Sequence, residues 1–109
     1  MKNEEPGTLH ESFGLKESTV SAIKTIFKQY PKIEKAVLYG SRAKGNYRTG
    51  SDIDLTLIGK ELTYSQLVQI ETRIDDLLLP YTVDLSLFSH IDNTELIDHI
   101  NRVGKVFYP

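Results

Sequence analysis

The run Asp52-Ile53-Asp54-Leu55-Thr56-Leu57-Ile58 alternates polar and apolar side chains with a period of two. Only an extended strand sends successive side chains to opposite faces, so Ile53 and Leu55 must face a core while Asp52 and Asp54 project together on the other side. Val83-Asp84-Leu85-Ser86-Leu87 repeats the alternation, and the apolar run Ala36-Val37-Leu38-Tyr39, ended by Gly40, reads as a buried strand. Strands of this kind need helices to cover them, and the chain supplies three. Val20, Ile23, Ile26, Phe27 and Tyr30 recur at helical spacing until Pro31, which predicts a helix over residues 17–30. Thr63 with Gln66 forms a capping box that opens a second helix, with Leu67, Ile70, Ile74, Leu77 and Leu78 as its buried stripe and Pro80 beyond its end. Residues 93–102 read as a last helix, with Leu96, Ile97, Ile100 and Val103 on one face and Gly104 as its C-terminal cap. Val106-Phe107-Tyr108 adds a short edge segment. The order predicts a small α/β (α+β) domain with helices packed on a sheet.

Composition narrows the function classes. A chain of 109 residues with 39% hydrophobic and 26% charged residues suits one soluble domain with a single core. A net charge of −2 weighs against a dedicated nucleic-acid binder, which gains affinity by neutralising phosphates. The absence of cysteine excludes disulfides, thiolate zinc sites and a cysteine nucleophile. No apolar run reaches the roughly 18 residues needed to span a bilayer. Residues 1–14 are acidic and lack the apolar stretch of a secretory signal, so a flexible leader followed by a domain over residues 15–109 is expected, in the cytoplasm.

Three features carry chemistry. Gly40-Ser41-Arg42-Ala43-Lys44-Gly45 leaves a strand at a glycine followed by a hydroxyl residue, where backbone can approach a ligand and N–H groups can cradle phosphate oxygens. Arg42, Lys44 and Arg48 add positive charge nearby, although a glycine-serine turn alone is equally a plain structural turn. Asp52 and Asp54 share one face of a strand, and two anions side by side raise the cost of ionising each other. A divalent cation removes that conflict, with oxygen donors of the kind Mg²⁺ prefers; a solvated strand end is the bland alternative. Asp84 occupies the polar phase of the next strand, so three carboxylates converge from two strands, as in two-metal phosphoryl-transfer sites. His10, His90 and His99 have no mutual spacing of metal ligands and read as surface or capping residues. Glu71, Asp75 and Asp76 read as the solvated face of the second helix, and Tyr39 as packing under the glycine-serine turn.

Ser41 and Asp52 are separated by ten residues, followed by Asp54 and, later, by Val83-Asp84-Leu85. This spacing resembles the nucleotidyltransferase superfamily that includes polymerase beta and the aminoglycoside nucleotidyltransferases. Leu38-Tyr39-Gly40-Ser41-Arg42-Ala43-Lys44-Gly45 and Gly50-Ser51-Asp52-Ile53-Asp54-Leu55 look most like its minimal branch, and the resemblance covers about residues 15–108. It implies a polymerase beta-like fold with a small mixed sheet, two Mg²⁺ ions and ATP as nucleotide donor. Gly40 and Ser41 would bind the β- and γ-phosphates, with Arg42 as a further nucleotide-binding candidate. Asp52 and Asp54 would ligate both metals. Asp84 would bind the metal that activates the attacking hydroxyl, and is the candidate to accept its proton. Minimal members work with a separately encoded helical HEPN-type protein, and some are antitoxins that transfer AMP to a tyrosine of a HEPN toxin. Two other roles fit the same motifs: modification of a small, aminoglycoside-like molecule with a separate acceptor-binding subunit, and non-catalytic occlusion of a toxin.

Overall fold

A computed structural model describes residues 11–109. Strands β1 (Glu11–Ser12) and β2 (Leu15–Lys16) form a hairpin that leads into helix α1 (Glu17–Lys28). Then follow β3 (Lys35–Tyr39), the single-turn helix α2 (Ser41–Lys44), β4 (Ile53–Ile58), α3 (Tyr64–Asp75), β5 (Val83–Leu87), a 3-10 turn over Phe88–His90, α4 (Thr94–Val103) and β6 (Lys105–Tyr108). The four main strands lie in the order β5-β4-β3-β6, with β4 and β5 parallel and the other pairs antiparallel. This is the small mixed sheet the sequence resemblance implied.

Alternation along the strands divides the molecule in two. Ala36, Leu38, Ile53, Leu55, Leu57, Leu85 and Leu87 turn to one face, where Ile23, Ile26 and Phe27 of α1 and Leu67, Ile70 and Ile74 of α3 cover them. Val37 and Tyr39 turn to the other face, where Ile100 of α4 packs on them with Leu96, Phe88 and Ile91. Helix α1 gains from Glu17 in its first turn and Lys28 in its last, matching the helix dipole at both ends. Helix α3 opens on the predicted capping box: Gln66 N–H donates to the Thr63 hydroxyl, and Thr63 N–H donates to the Gln66 amide oxygen. Asn93 caps α4 by accepting from Leu96 N–H.

Three expectations change on the structure. The buried stripe of α3 stops at Leu77, because the helix gives way to a tight turn in which Leu78 takes φ 55° and lies 86% exposed. Gly104 does cap α4, with its N–H on Ile100 O at 2.8 Å, but its backbone (φ −59°, ψ 142°) is not the left-handed cap conformation. Glycine is needed there because a Cβ would collide with the Ile100 carbonyl and the Val37 side chain. Of the leader expected over residues 1–14, residues 1–10, His10 among them, lie outside the described residues. Residues 13 and 14 belong to the packed unit: Phe13 sits 6.3 Å from the Phe107 ring, and Leu15 just after them is fully buried.

Candidate active site

The second face of the sheet carries a polar row near one end. Strand register aligns Tyr39 of β3 with Asp54 of β4, and Asp54 with Asp84 of β5, so all three side chains rise side by side on the same face. Asp52 stands one residue before β4, close enough for its charge to act on Asp54. One step along, Thr56 and Ser86 are also paired, and the Ser86 hydroxyl donates to Thr56 Oγ1 at 3.0 Å. The register therefore sets Asp54 beside Asp84 on two adjacent parallel strands, with Asp52 just ahead of β4.

Their electrostatics follow from that crowding. Burial raises the Asp54 pKa above the usual carboxylate range, and the nearby Asp84 and Asp52 raise it further, with His99 acting in the opposite sense. Burial likewise holds the Tyr39 phenol above its ordinary value, against a hydrogen bond with Ser86, while Asp84 and Asp54 add to the rise. A carboxylate whose ionisation is opposed by its neighbours is suited to a cation, and carboxylate oxygens are the donors Mg²⁺ takes. Among the described residues no group of three or more carboxylates or imidazoles is arranged so that it could hold a metal ion. The fit to Mg²⁺ rests on the shared face, the oxygen donors and the mutual repulsion.

Gly40 lies where β3 ends, directly beside Asp54. Its φ of 76° and ψ of −155° fall in a region essentially reserved for glycine, and a Cβ there would collide with Asp54 Oδ2. The same residue thus sets the turn and leaves room for the central carboxylate. Ser41 begins α2, whose single turn is closed by Lys44 N–H on Gly40 O at 3.0 Å.

Arg42 is placed differently from the expectation of a nucleotide contact. It is 3% exposed, and its guanidinium is spent on carbonyls: Nε and Nη2 donate to Ser51 O at 3.1 and 2.8 Å, and Nη1 donates to Phe13 O at 2.9 Å. The rings of Tyr47 and Tyr81 flank it, with centroids at 5.2 and 5.0 Å. Arg42 is a clamp that ties the β1–β2 hairpin to the peptide just before Asp52. The local sequence, a basic residue after a glycine-serine turn, cannot distinguish a phosphate ligand from such a clamp.

His99 is the residue that sequence reasoning missed. Its Nε2 accepts from Gly40 N–H at 3.1 Å, and its ring meets Tyr39 edge-on at 6.2 Å and 82°. No spacing in the sequence signals a contact across 59 residues; His99 merely precedes the buried Ile100 on α4.

The Polymerase beta, Nucleotidyltransferase family matches residues 21–109, and the chain belongs to it. A relative from Methanocaldococcus jannaschii named "putative protein adenylyltransferase" is 29% identical over 107 residues, covering 92% of this chain and 100% of that protein. A second protein of the same organism and name is 28% identical over 88 residues, covering 75% and 84%. The fold is similar to that of a chain in a toxin–antitoxin crystal structure with AMP-PNP (TM-score 0.65, 22% identity, 85% of this chain and 73% of that one). It is also similar to a chain in the complex of a tri-AMPylated Shewanella oneidensis HEPN toxin with its MNT antitoxin (TM-score 0.62, 19% identity, 84% and 70%).

Proposed function

We propose that this nucleotidyltransferase moves AMP from ATP to a hydroxyl of a separately encoded, helical HEPN-type protein, a tyrosine above all, as an antitoxin acting in the cytoplasm. The observation that carries the reading is the row of Asp54 and Asp84 on one face, with Asp52 beside it and the Gly40 turn at the same end of the sheet. The names of the relatives, and the AMPylated toxin in the similar complex, support the choice of AMP and of a protein acceptor.

In this reading Asp52 and Asp54 would hold the Mg²⁺ ions, with Asp84 as a further ligand. The ions supply charge stabilisation for the phosphates when bound. Gly40, lacking a side chain, lets the triphosphate tail approach, and Ser41 donates its hydroxyl to a phosphate oxygen. His99 fixes the Gly40 peptide from below, since it already occupies that N–H. The acceptor oxygen bonds to the α-phosphorus, the bridge to the β-phosphate breaks, and pyrophosphate leaves with the bonding pair. The hydroxyl proton passes to the Asp84 carboxylate. Positioning and charge account for most of the rate in such a transfer.

Incubating the chain and a co-purifying partner with ATP and Mg²⁺, followed by intact mass analysis, tests the assignment. The partner should become heavier by one or more AMP units, and excess chelator should prevent it. Labelling of a small molecule instead would favour an aminoglycoside-type role. A silenced partner with no label at all would favour occlusion.

A further inference from the structure

β5 is the edge strand that bears Asp84, and among the described residues no strand pairs with its outer side. Ile53 N–H donates to Thr82 O at 2.9 Å, and the parallel ladder then runs in step from Ile53–Val83 to Leu57–Leu87. Backbone groups alternate in direction along a strand, so those of residues 84 and 86 turn toward β4, and those of Val83 and Leu85 turn outward. Side chains alternate too: Asp84 rises on the polar face, while Val83 and Leu85 face α3.

On that α3 side lie two adjoining cavities of about 250 and 350 Å³, which share Ile74, Asp75 and Val83. Apolar Ile74, Val83 and Leu85 share their linings with Glu71 and Asp75, and neither is lined by a cationic side chain. The exposed Leu78 lies at the far end.

We propose that this edge is the acceptor dock: an extended segment of the acceptor protein adds to β5 as an antiparallel strand, placing its hydroxyl residue opposite Asp84. The inference rests on the transfer reading above. An open edge with outward N–H and C=O groups is a template for strand addition. If Val83 and Leu85 make the hydrogen-bonded pairs, the residue between them on the partner faces Asp84 in the closer, non-hydrogen-bonded pairing, with Cβ atoms about 4.5–5.5 Å apart. Alternation then sets the rest of the segment. Residues flanking the hydroxyl residue drop into the groove over Ile74 and are apolar. Those two positions further out on the same side meet Glu71 and Asp75, and are Lys or Arg. The transfer delivers AMP to the hydroxyl oxygen, releases pyrophosphate and sends the hydroxyl proton to Asp84, so no further reactant is needed.

The test uses the peptide Lys-Thr-Val-Tyr-Val-Thr-Lys, a copy N-methylated at both valines, and a copy with glutamate in place of lysine. Titrated into the ¹⁵N-labelled chain, the parent peptide should shift the Val83 and Leu85 amides and, with ATP and Mg²⁺, gain AMP on its tyrosine. N-methylation and charge inversion should each weaken binding by about tenfold or more. The double variant Glu71→Lys, Asp75→Lys should reverse the charge preference with unchanged ATP affinity by calorimetry. Val83→Pro, which removes one outward donor at an edge position that tolerates proline, should lower labelling by the same order. A chain that fails to bind ATP with Mg²⁺ would overturn the transfer reading itself. A chain that binds nucleotide but leaves the Val83 and Leu85 amides unmoved, or treats the three peptides alike, would overturn the dock.

Discussion

The two faces of the sheet differ in what they ask of neighbouring residues. On the α1–α3 face, Ile53, Leu55 and Leu57 are at most 1% exposed beneath two helices, and side chains there serve packing. On the α4 face, a single helix covers Val37 and Tyr39, while Asp54 and Asp84 remain in reach of solvent and the charge of Asp84 adds to the cost of ionising Asp54. Adjacent residues of one strand thus belong to different problems, one of stability and one of chemistry. The division is sharp enough to test by mutating next-door neighbours.

The largest separation is expected between Asp54→Asn and Leu55→Ala. Asp54→Asn should cost several kcal/mol of transition-state stabilisation, abolishing transfer, while the metal-free protein melts at the same or a higher temperature. Leu55→Ala should cost about 2–5 kcal/mol of stability, with transfer retained by the molecules that stay folded. Kinetics and thermal melts on both variants would decide it; an Asp54→Asn chain that unfolds as readily as Leu55→Ala would erase the distinction between the faces.

Two variants probe the seams. Arg42→Ala should lose about 2–4 kcal/mol by denaturant titration, because it strips two carbonyls of charged donors. Gly40→Ala should lose about 1–3 kcal/mol through its backbone alone and also push Asp54 aside, so that activity falls further than stability. Unaltered turnover in a folded Gly40→Ala chain would show that Asp54 has room to spare. At His99 the expected effect is smaller: His99→Leu should raise KM for ATP by about tenfold with kcat less affected, and His99→Gln, which keeps an acceptor, should restore most of it. Equal KM for both would mean that the Gly40 N–H needs no partner.

The smallest effect is a slope of stability with pH. The folded Asp54 pKa is raised, so the folded state binds a proton more tightly than the unfolded chain. Its contribution is fully present below the ordinary carboxylate range and lost as pH rises through the raised value. Metal-free melts should therefore decline over that interval in the parent chain and decline less in Asp54→Asn. Parallel profiles would show that Asp54 is not the group responsible.

Much of this was legible in the residues. Period-two runs announced β4 and β5 and put Asp52, Asp54 and Asp84 on one side, and Thr63 with Gln66 marked where α3 begins. What escaped was either long-range or ambiguous by nature. His99 reaches Gly40 only because α4 lies back over β3. Arg42 follows a phosphate-type turn, yet folds inward because the Ser51 and Phe13 carbonyls and two tyrosine rings await it. Leu78 fits the helical period of α3 but falls just past its end, where the chain turns with a positive φ before Pro80. Periodicity describes a helix and cannot announce the residue at which it stops.

The sheet order has a consequence for synthesis. β3 lies between β4 and β6, and β6 leaves the ribosome after β3, β4 and β5, as His99 follows the Gly40 turn it holds by 59 residues. A nascent chain ending before residue 94 can pair β3, β4 and β5, but it exposes one side of β3 and leaves Tyr39 and Val37 without the helix that covers them. The carboxylates are translated and paired before the turn beside them gains its support. Copies that stop before residue 94 would therefore carry all three aspartates and still lack the helix that steadies the Gly40 turn.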